Sequence, residues 1–372
     1  MSDFSIRGFY DLEMGTEIKW QMDLVSGFKH VFLPEAPTIQ RSSPRTLNNP
    51  SISFALDDAT PDIVLCHGYN SPTHLRAIGW ARTNRVPLML IGDSEDRQVR
   101  SVAKRAAKHM ILRPLFKQFS AFLTTGDENE KYLEAHGVPR RKLFRSPYTI
   151  DEKTYLRARN AREVLRTHLR TELGIRRDEI VFLTVGKLSE RKRPRDIVDA
   201  ARQMVSKWSS TPVRFLVVGN GSELQTLKAV SEADQLPITF SGFVNVNELP
   251  KYYAAADALI HPAEADPHPL VLSEAACIGL PLIVSNGVGA IGQSDIARNG
   301  ENCIVTRVGN AAEIGRVVQT LSTDPARRAS MSRASKRIYG ELDMARSLSG
   351  LKSAVEHSID NPALLRERDH AC

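Results

Sequence analysis

Short apolar runs alternate with amphipathic stretches through the middle and end of this chain. "EIVFLTVGK" (179–187) is a compact hydrophobic run, followed by a charged turn and by "PRDIVDAARQMVSKW", whose apolar residues recur at helical spacing. "VRFLVVGNG" (213–221) repeats the design, with "SELQTLKAVSEAD" behind it. "ITFSGFV" (238–244), "ALIHPA" (258–263) and "LPLIVSN" (280–286) continue it, with helices expected over "NELPKYYAAAD" and from Pro269 as the first helical residue. Apolar runs of this length, separated by amphipathic helices, predict a parallel sheet covered by helices on both faces. Its crossovers are right-handed, and ligands of such sheets bind beyond the carboxyl ends of the strands.

The first part is less regular. "DIVLCHG" (62–68), "VPLMLIGD" (86–93), "AFLTTGD" (121–127) and "KLFRSP" (142–147) read as strands, with helices over "SPTHLRAIGWARTN" and "DRQVRSVAKRAAKHMILRPLFKQF". A chain of 372 residues is too long for one ordinary core. The expected division is an α/β domain over 1–150, joined by the helices of 339–372, and a second over 151–338. A charged helical connector at 147–175 serves as the hinge. No internal repeat is present.

Composition is that of a globular protein, and no apolar run approaches the ~20 residues that span a bilayer. The opening "MSDFSIRGFYDLEMG" lacks the basic start and apolar stretch of a signal peptide. Cys66, Cys277, Cys303 and Cys372 are scattered without metal-ligand spacing and read as buried small hydrophobes or bystanders. These features predict a cytoplasmic protein. The net charge of +7 is uneven: twelve Lys or Arg face four acids between Arg97 and Arg145. Such a patch suits anionic lipid, nucleic acid or a phosphorylated substrate.

Candidate chemistry gathers at one edge of the predicted sheet. Lys187 ends a strand and Lys192 opens the next helix; Gly219 and Gly221 form a Gly-x-Gly turn; Phe243 and Val244 close a third strand. "DPHPLVLSEA" sets Asp266 and Glu274 on either side of a helix mouth. A helix N-terminus favours phosphate through its free N–H groups and dipole, and Leu270 and Val271 are the first donors here. Glu274 lies about 7 Å along the axis at ~1.5 Å per residue, the span from a diphosphate to a ribose, and an ionised carboxylate can accept from both ribose hydroxyls.

Together these segments resemble the retaining GT-B glycosyltransferases, specifically glycosyltransferase family 4 (group 1 type). The matching residues are Gly186-Lys187-Leu188 with Lys192, Gly219-x-Gly221, Gly242-Phe243-Val244, His261-Pro262, and Asp266 through Glu274-Ala275. The resemblance covers roughly 179–335. It implies two Rossmann-like domains facing each other across a cleft, the first on the acceptor side and the second binding a nucleotide diphosphate-sugar. Lys187 and Lys192 would neutralise the departing diphosphate. Asp266 would face the transferred sugar and Glu274 the ribose. Gly186, Gly219, Gly221, Phe243, Val244, His268, Leu270 and Val271 would line the donor. Lys187 replaces the family's Arg, which loses forked geometry, and Asp266 replaces Glu, which shortens the reach by ~1.5 Å.

Plain readings stand beside these. Glu274 could simply favour the helix dipole, and Lys192, with Arg191 and Arg193, could be a solvated charge run. His268 could be a loop residue. Gly219-x-Gly221 and the similar Gly287-x-Gly289 could only turn the chain. A dinucleotide fingerprint lacks its third glycine.

The first domain departs from the family. No strand with a glycine-rich turn opens it, so either the domain is trimmed or its start lies upstream of Met1. Asp93 stands where relatives carry an acceptor-side His and could orient the acceptor hydroxyl, or cap the next helix; His67 is a weaker candidate. In the basic 97–117 segment, Val99, Val102, Ala106 and Met110 form an expected apolar face, suited to an anionic membrane surface or to ordinary packing. No Asp-x-Asp pair marks a metal site, and the resemblance implies no metal, no cofactor beyond the donor and no nucleic acid. The function expected is transfer of a sugar to a glycan or lipid-linked acceptor in cell-surface polysaccharide synthesis. The alternatives are a trimmed, non-catalytic nucleotide- or partner-binding homologue, and an unrelated NAD enzyme.

Overall fold

Successive residues along β7 (Ile180–Val185) and β8 (Val213–Val218) point into two different cores. Val181, Leu183, Val185, Leu216 and Val218 join one cluster; Phe182, Phe215 and Val217 join the other. That division is what a parallel sheet with helices on both faces requires. The computed structural model describes residues 8–11, 13–19, 23, 25–38, 46–97, 102–208 and 211–360.

The chain forms two units: residues 1–9, 18–147 and 345–372 make unit 1, and residues 10–17 and 148–344 make unit 2. Outside the main sheets, β1 (Phe9–Asp11) and β2 (Thr16–Ile18) form a small hairpin that the sequence pattern did not signal. Among the described residues, unit 1 carries four parallel strands in sequential order: β3 (Val64–His67), β4 (Leu88–Gly92), β5 (Ala121–Thr124) and β6 (Leu143–Arg145). The helix Met344–Asp360 covers one face of this sheet. Its Gly350 admits the carbonyl oxygen of Arg145 where a β-carbon would stand 2.0 Å away, and Ser358 accepts from Ser120 at 2.9 Å.

In unit 2 the strands run β12-β11-β10-β7-β8-β9, all parallel, with β9 at Ile238–Gly242, β10 at Ala258–His261, β11 at Leu282–Ser285 and β12 at Cys303–Thr306. The sheet grows one way from β7 through β8 and β9, and the other way through β10. A topological switch point therefore lies between β7 and β10, where doubly wound sheets bind ligands.

The connector at 147–175 holds two helices, Glu152–Asn160 and Arg162–Glu172, both within unit 2. Arg162, Arg166 and Arg170 share one helical face and donate to the last carbonyls of the helix Leu249–Ala255, where cations complement the dipole. The helix in the basic segment runs Val102–Phe116, and Val99 and Arg100 lie outside the described residues, as do the side chains of Val102, Lys104 and Arg105. Its core-facing residues are Leu112 and Phe116; Ala106 and Met110, expected on the apolar face, are exposed. Cys66, Cys277 and Cys303 are buried, and burial raises each thiol. Cys372 is outside the described residues.

Candidate functional site

Backbone contact between loops builds the carboxyl edge of unit 2. Leu188 N–H donates to Asn220 at 2.9 Å and Glu223 N–H to Leu188 at 3.0 Å, which ties the loop after β7 to the loop after β8. The approach is too close for side chains: a β-carbon on Gly219 or Gly221 would stand 1.8 Å or 2.5 Å from the carbonyl oxygens of Gly186 or Leu188. Both glycines also hold positive φ. The Gly-x-Gly turn thus fixes the segment that carries Lys187.

The loop after β10 is clamped from both sides. Glu264 N–H donates to Arg191 at 2.9 Å on one side, and Gly289 N–H to Asp266 at 2.9 Å on the other. A β-carbon on Gly287 or Gly289 would collide with the carbonyl oxygens of Glu264 or Pro267, at 2.1 and 2.3 Å. Gly287-x-Gly289 therefore holds the Asp266 loop in place. Arg191 is exposed but donates to the Ala265 carbonyl at 2.7 Å, and Arg193 makes a two-pronged pair with Asp196 at 2.8 and 2.9 Å. Neither is a merely solvated charge.

Across the switch point, Lys192 donates to Asp266 Oδ2, and His261 Nε2 lies 2.8 Å from the same oxygen. Burial opposes ionisation of Asp266, but the hydrogen bond from His261 and the Lys192 charge outweigh it and hold the carboxyl down at about 2. Burial pushes His261 below the usual imidazole value against the raising effect of Asp266, so its Nε2–H is the donor. His261 was visible in the sequence only as a motif match; its tie to Asp266 is tertiary.

Asp266 leads through Pro267 and His268 to the helix Leu270–Ile278. Pro269 is the N-cap, with ψ 123°, and not the first helical residue as expected. The helix has no side-chain cap, and Leu270 is 42% exposed in its first turn. The N–H groups of Leu270 and Val271 lie in that uncapped turn. His268 is buried: its Nε2 lies 3.2 Å from Asp295 Oδ1, its ring meets Tyr148 edge-on, and its Nδ1 has no partner. Ser189, after β7, and Ser241, in β9, likewise carry buried hydroxyls without a partner. Buried polar atoms of this kind are rare in folded proteins. Three of them at the carboxyl edge of one sheet suit a polar ligand.

Glu274 lies on the same helix and keeps partial exposure. Tyr253 donates to its Oε2 at 2.5 Å, and the Tyr155 hydroxyl lies on the same side and favours its ionised form. Burial raises the Glu274 carboxyl, the two phenols oppose this, and burial prevails. The tyrosines come from helices Glu152–Asn160 and Leu249–Ala255, and their rings meet edge-on. Sequence reasoning missed both, since an aromatic on an amphipathic helix reads as core. Phe243 and Val244 follow β9 half-buried.

Lys187 is turned to acids: its Nζ lies 2.7 Å from Asp11 Oδ2 and 3.2 Å from Glu13 Oε2, all within unit 2. Asp93 belongs to unit 1, one residue beyond β4, and does not cap the helix that starts at Val102. Among the described residues, no cluster of three His, Cys, Asp or Glu could hold a metal ion, and no helix is long and apolar enough to cross a membrane.

The family described as glycosyl transferases group 1 matches residues 166–338, a segment that contains Lys187, Lys192, Asp266 and Glu274. An alpha-monoglucosyldiacylglycerol synthase of Acholeplasma laidlawii is 24% identical over 178 residues, 47% of this chain and 41% of that protein. A UDP-Gal:alpha-D-GlcNAc-diphosphoundecaprenol alpha-1,3-galactosyltransferase of Escherichia coli is 30% identical over 136 residues, 36% of this chain and 32% of that protein. The chain thus spans less than half the length of either relative. Anabaena HepE, solved in complex with UDP, superposes with a TM-score of 0.67 at 18% identity, over 83% of this chain and 82% of that one. That likeness shows the fold, the two Rossmann-like units of GT-B glycosyltransferases, and residues 166–338 carry the match to the group 1 family.

Proposed function

We propose that this protein is a glycosyltransferase that moves a sugar from a nucleotide diphosphate-sugar to a glycan or lipid-linked acceptor in cell-surface polysaccharide synthesis. The observation that carries the reading is the convergence, at the switch point of unit 2, of Lys192, Asp266 and the uncapped helix that bears Glu274. A diphosphate at that helix mouth would meet the Leu270 and Val271 N–H groups and the Lys187 and Lys192 charges. Those charges stabilise the leaving diphosphate more in the transition state than in the ground state, so they accelerate transfer as well as binding. Glu274, held by Tyr253, takes the ribose. Both contacts of Asp266 fall on Oδ2, and Oδ1 is the oxygen we assign to a sugar hydroxyl.

Retention of configuration and independence from metal follow the resemblance to family 4. The departing diphosphate serves as the base for the acceptor hydroxyl, and Asp93 orients that hydroxyl. The lipid-linked acceptor named for the Escherichia coli relative supports the acceptor class. We assign the exposed Met110 and Ile111, with Arg113 on the same helix and Lys117 just past its end, to contact with an anionic membrane on which that acceptor is presented.

The test is a panel of nucleotide-sugars, screened by thermal shift and then by transfer of labelled sugar to lipid-linked acceptors. A stabilising donor that is turned over, with the anomer kept and chelators without effect, is expected. Saturable binding with neither transfer nor hydrolysis would leave the non-catalytic homologue in its place.

A further inference from the structure

The hairpin formed by β1 and β2 puts its turn against the loop that follows β7. Asp11 Oδ1 accepts the N–H groups of Glu13 at 3.0 Å and Met14 at 2.9 Å, and Gly15 N–H returns to the Asp11 carbonyl at 2.7 Å with φ +62°. This is an Asx-type turn that the aspartate itself organises. It leaves Oδ2 aimed at Lys187 Nζ, with the Asp11 side chain only 11% exposed. Glu13 Oε2 adds a second carboxylate, 3.2 Å from Lys187 and 3.9 Å from Arg191 Nη2. Met14 is buried and anchors the turn.

Two carboxylates on one lysine and its neighbouring arginine present the charge and oxygen spacing that a diphosphate would bring to the same cations. We propose that the Asp11–Glu13 turn is a built-in competitor for the donor: it occupies the anion position on Lys187 by mimicking phosphate, and it must withdraw before the diphosphate can bind. The proposal rests on the reading of Lys187 as a diphosphate ligand. A site whose competent form is only a fraction of the molecules binds with an affinity reduced by that fraction, so the turn sets the donor concentration at which the enzyme works. It also keeps stray anions off an otherwise bare ammonium.

The experiment uses the full chain and two kinds of probe, inorganic pyrophosphate and the nucleoside diphosphates UDP, GDP and ADP, measured by calorimetry on wild type, Glu13→Gln and Asp11→Asn/Glu13→Gln. The Asn retains the Oδ1 acceptor that shapes the turn, and Glu13 makes no side-chain bond within it, so the fold is spared. The double variant should bind pyrophosphate about tenfold more tightly than wild type, with the single variant between. Unchanged or weaker pyrophosphate binding in both variants would overturn the competitor. The nucleotide reading fails separately, if UDP, GDP and ADP bind no tighter than pyrophosphate to any of the three proteins.

Discussion

A β-carbon added to Gly219 would stand 1.8 Å from the carbonyl oxygen of Gly186. The two residues end neighbouring strands, β8 and β7, and their contact fixes the backbone from which Lys187 projects. Gly219→Ala must therefore push the two loops apart and also adopt φ near +144°. Overpacking costs roughly 1–3 kcal/mol, and the positive φ adds to it. We expect a fall in Tm of several degrees and a loss of nucleotide affinity. Gly340→Ala, in a helix with open space around it, should leave affinity unchanged and hold or slightly raise Tm. Equal behaviour of the two variants in a melting series would count against the loop contact.

Tyr253 presents Glu274, so its assigned role can be tested at two levels. Glu274→Gln should weaken nucleotide binding tenfold or more, since hydrogen bonds to charged groups contribute about 1.5–3 kcal/mol. Tyr253→Phe should weaken it by a smaller factor, because the carboxylate remains but loses its support. Glu264→Gln, at an exposed position two residues before Asp266, should have no effect. Titration of the three variants with UDP and with its 2′-deoxy form tests the ribose assignment, and equal losses at 264 and 274 would remove it.

Lys192 is assigned to the leaving diphosphate. With donor in excess, Lys192→Gln should lower kcat about a hundredfold, the scale of one transition-state charge contact. Donor affinity should fall much less. A turnover number equal to wild type would show that the lysine serves only to hold Asp266.

His261 makes the stability of unit 2 depend on pH. Its folded-state pKa lies below the ordinary value of 6.5, chiefly through burial. As pH falls through 6.5, the unfolded chain takes up a proton that the folded one resists, and stability is lost. Asp266 contributes in another window: its folded pKa is about 2 against 3.8, so its stabilisation disappears only below roughly pH 4. Glu274 acts with the opposite sign, since its raised pKa favours the folded state as the medium becomes acidic. Between pH 7 and pH 5, His261→Gln should therefore lose less Tm than wild type, with the Glu274 contribution common to both. Parallel curves for the two proteins would contradict the buried neutral imidazole.

Much of the frame was legible in the one-dimensional pattern. Nine runs, from "DIVLCHG" to "LPLIVSN", coincide with β3 to β11; the interior strands among them are largely apolar because both faces are buried, whereas the edge strands β3, β6 and β9 are only partly so. The hairpin escaped notice because three-residue strands carry no period. β12, the run "CIVT" between "RNGEN" and "RVGN", had turn signals on both sides and could have been found. Pro269 was placed one position too far into its helix, since composition alone does not separate an N-cap from a first helical residue.

Which side chains reach the carboxyl edge of unit 2 could be read from the chain alone. Apolar runs and turn glycines are local signals, so Lys187, Lys192, Asp266 and Glu274 could be assigned to that edge without coordinates. Their partners were set by folding. Lys192 meets Asp266 across 74 residues, Glu274 is held by a tyrosine from another helix, and Lys187 is met by an aspartate 176 residues away. Such pairings depend on strand order and loop clamping. A hydrogen bond forms where folding brings two atoms within about 3 Å, and spacing along the chain does not encode that meeting.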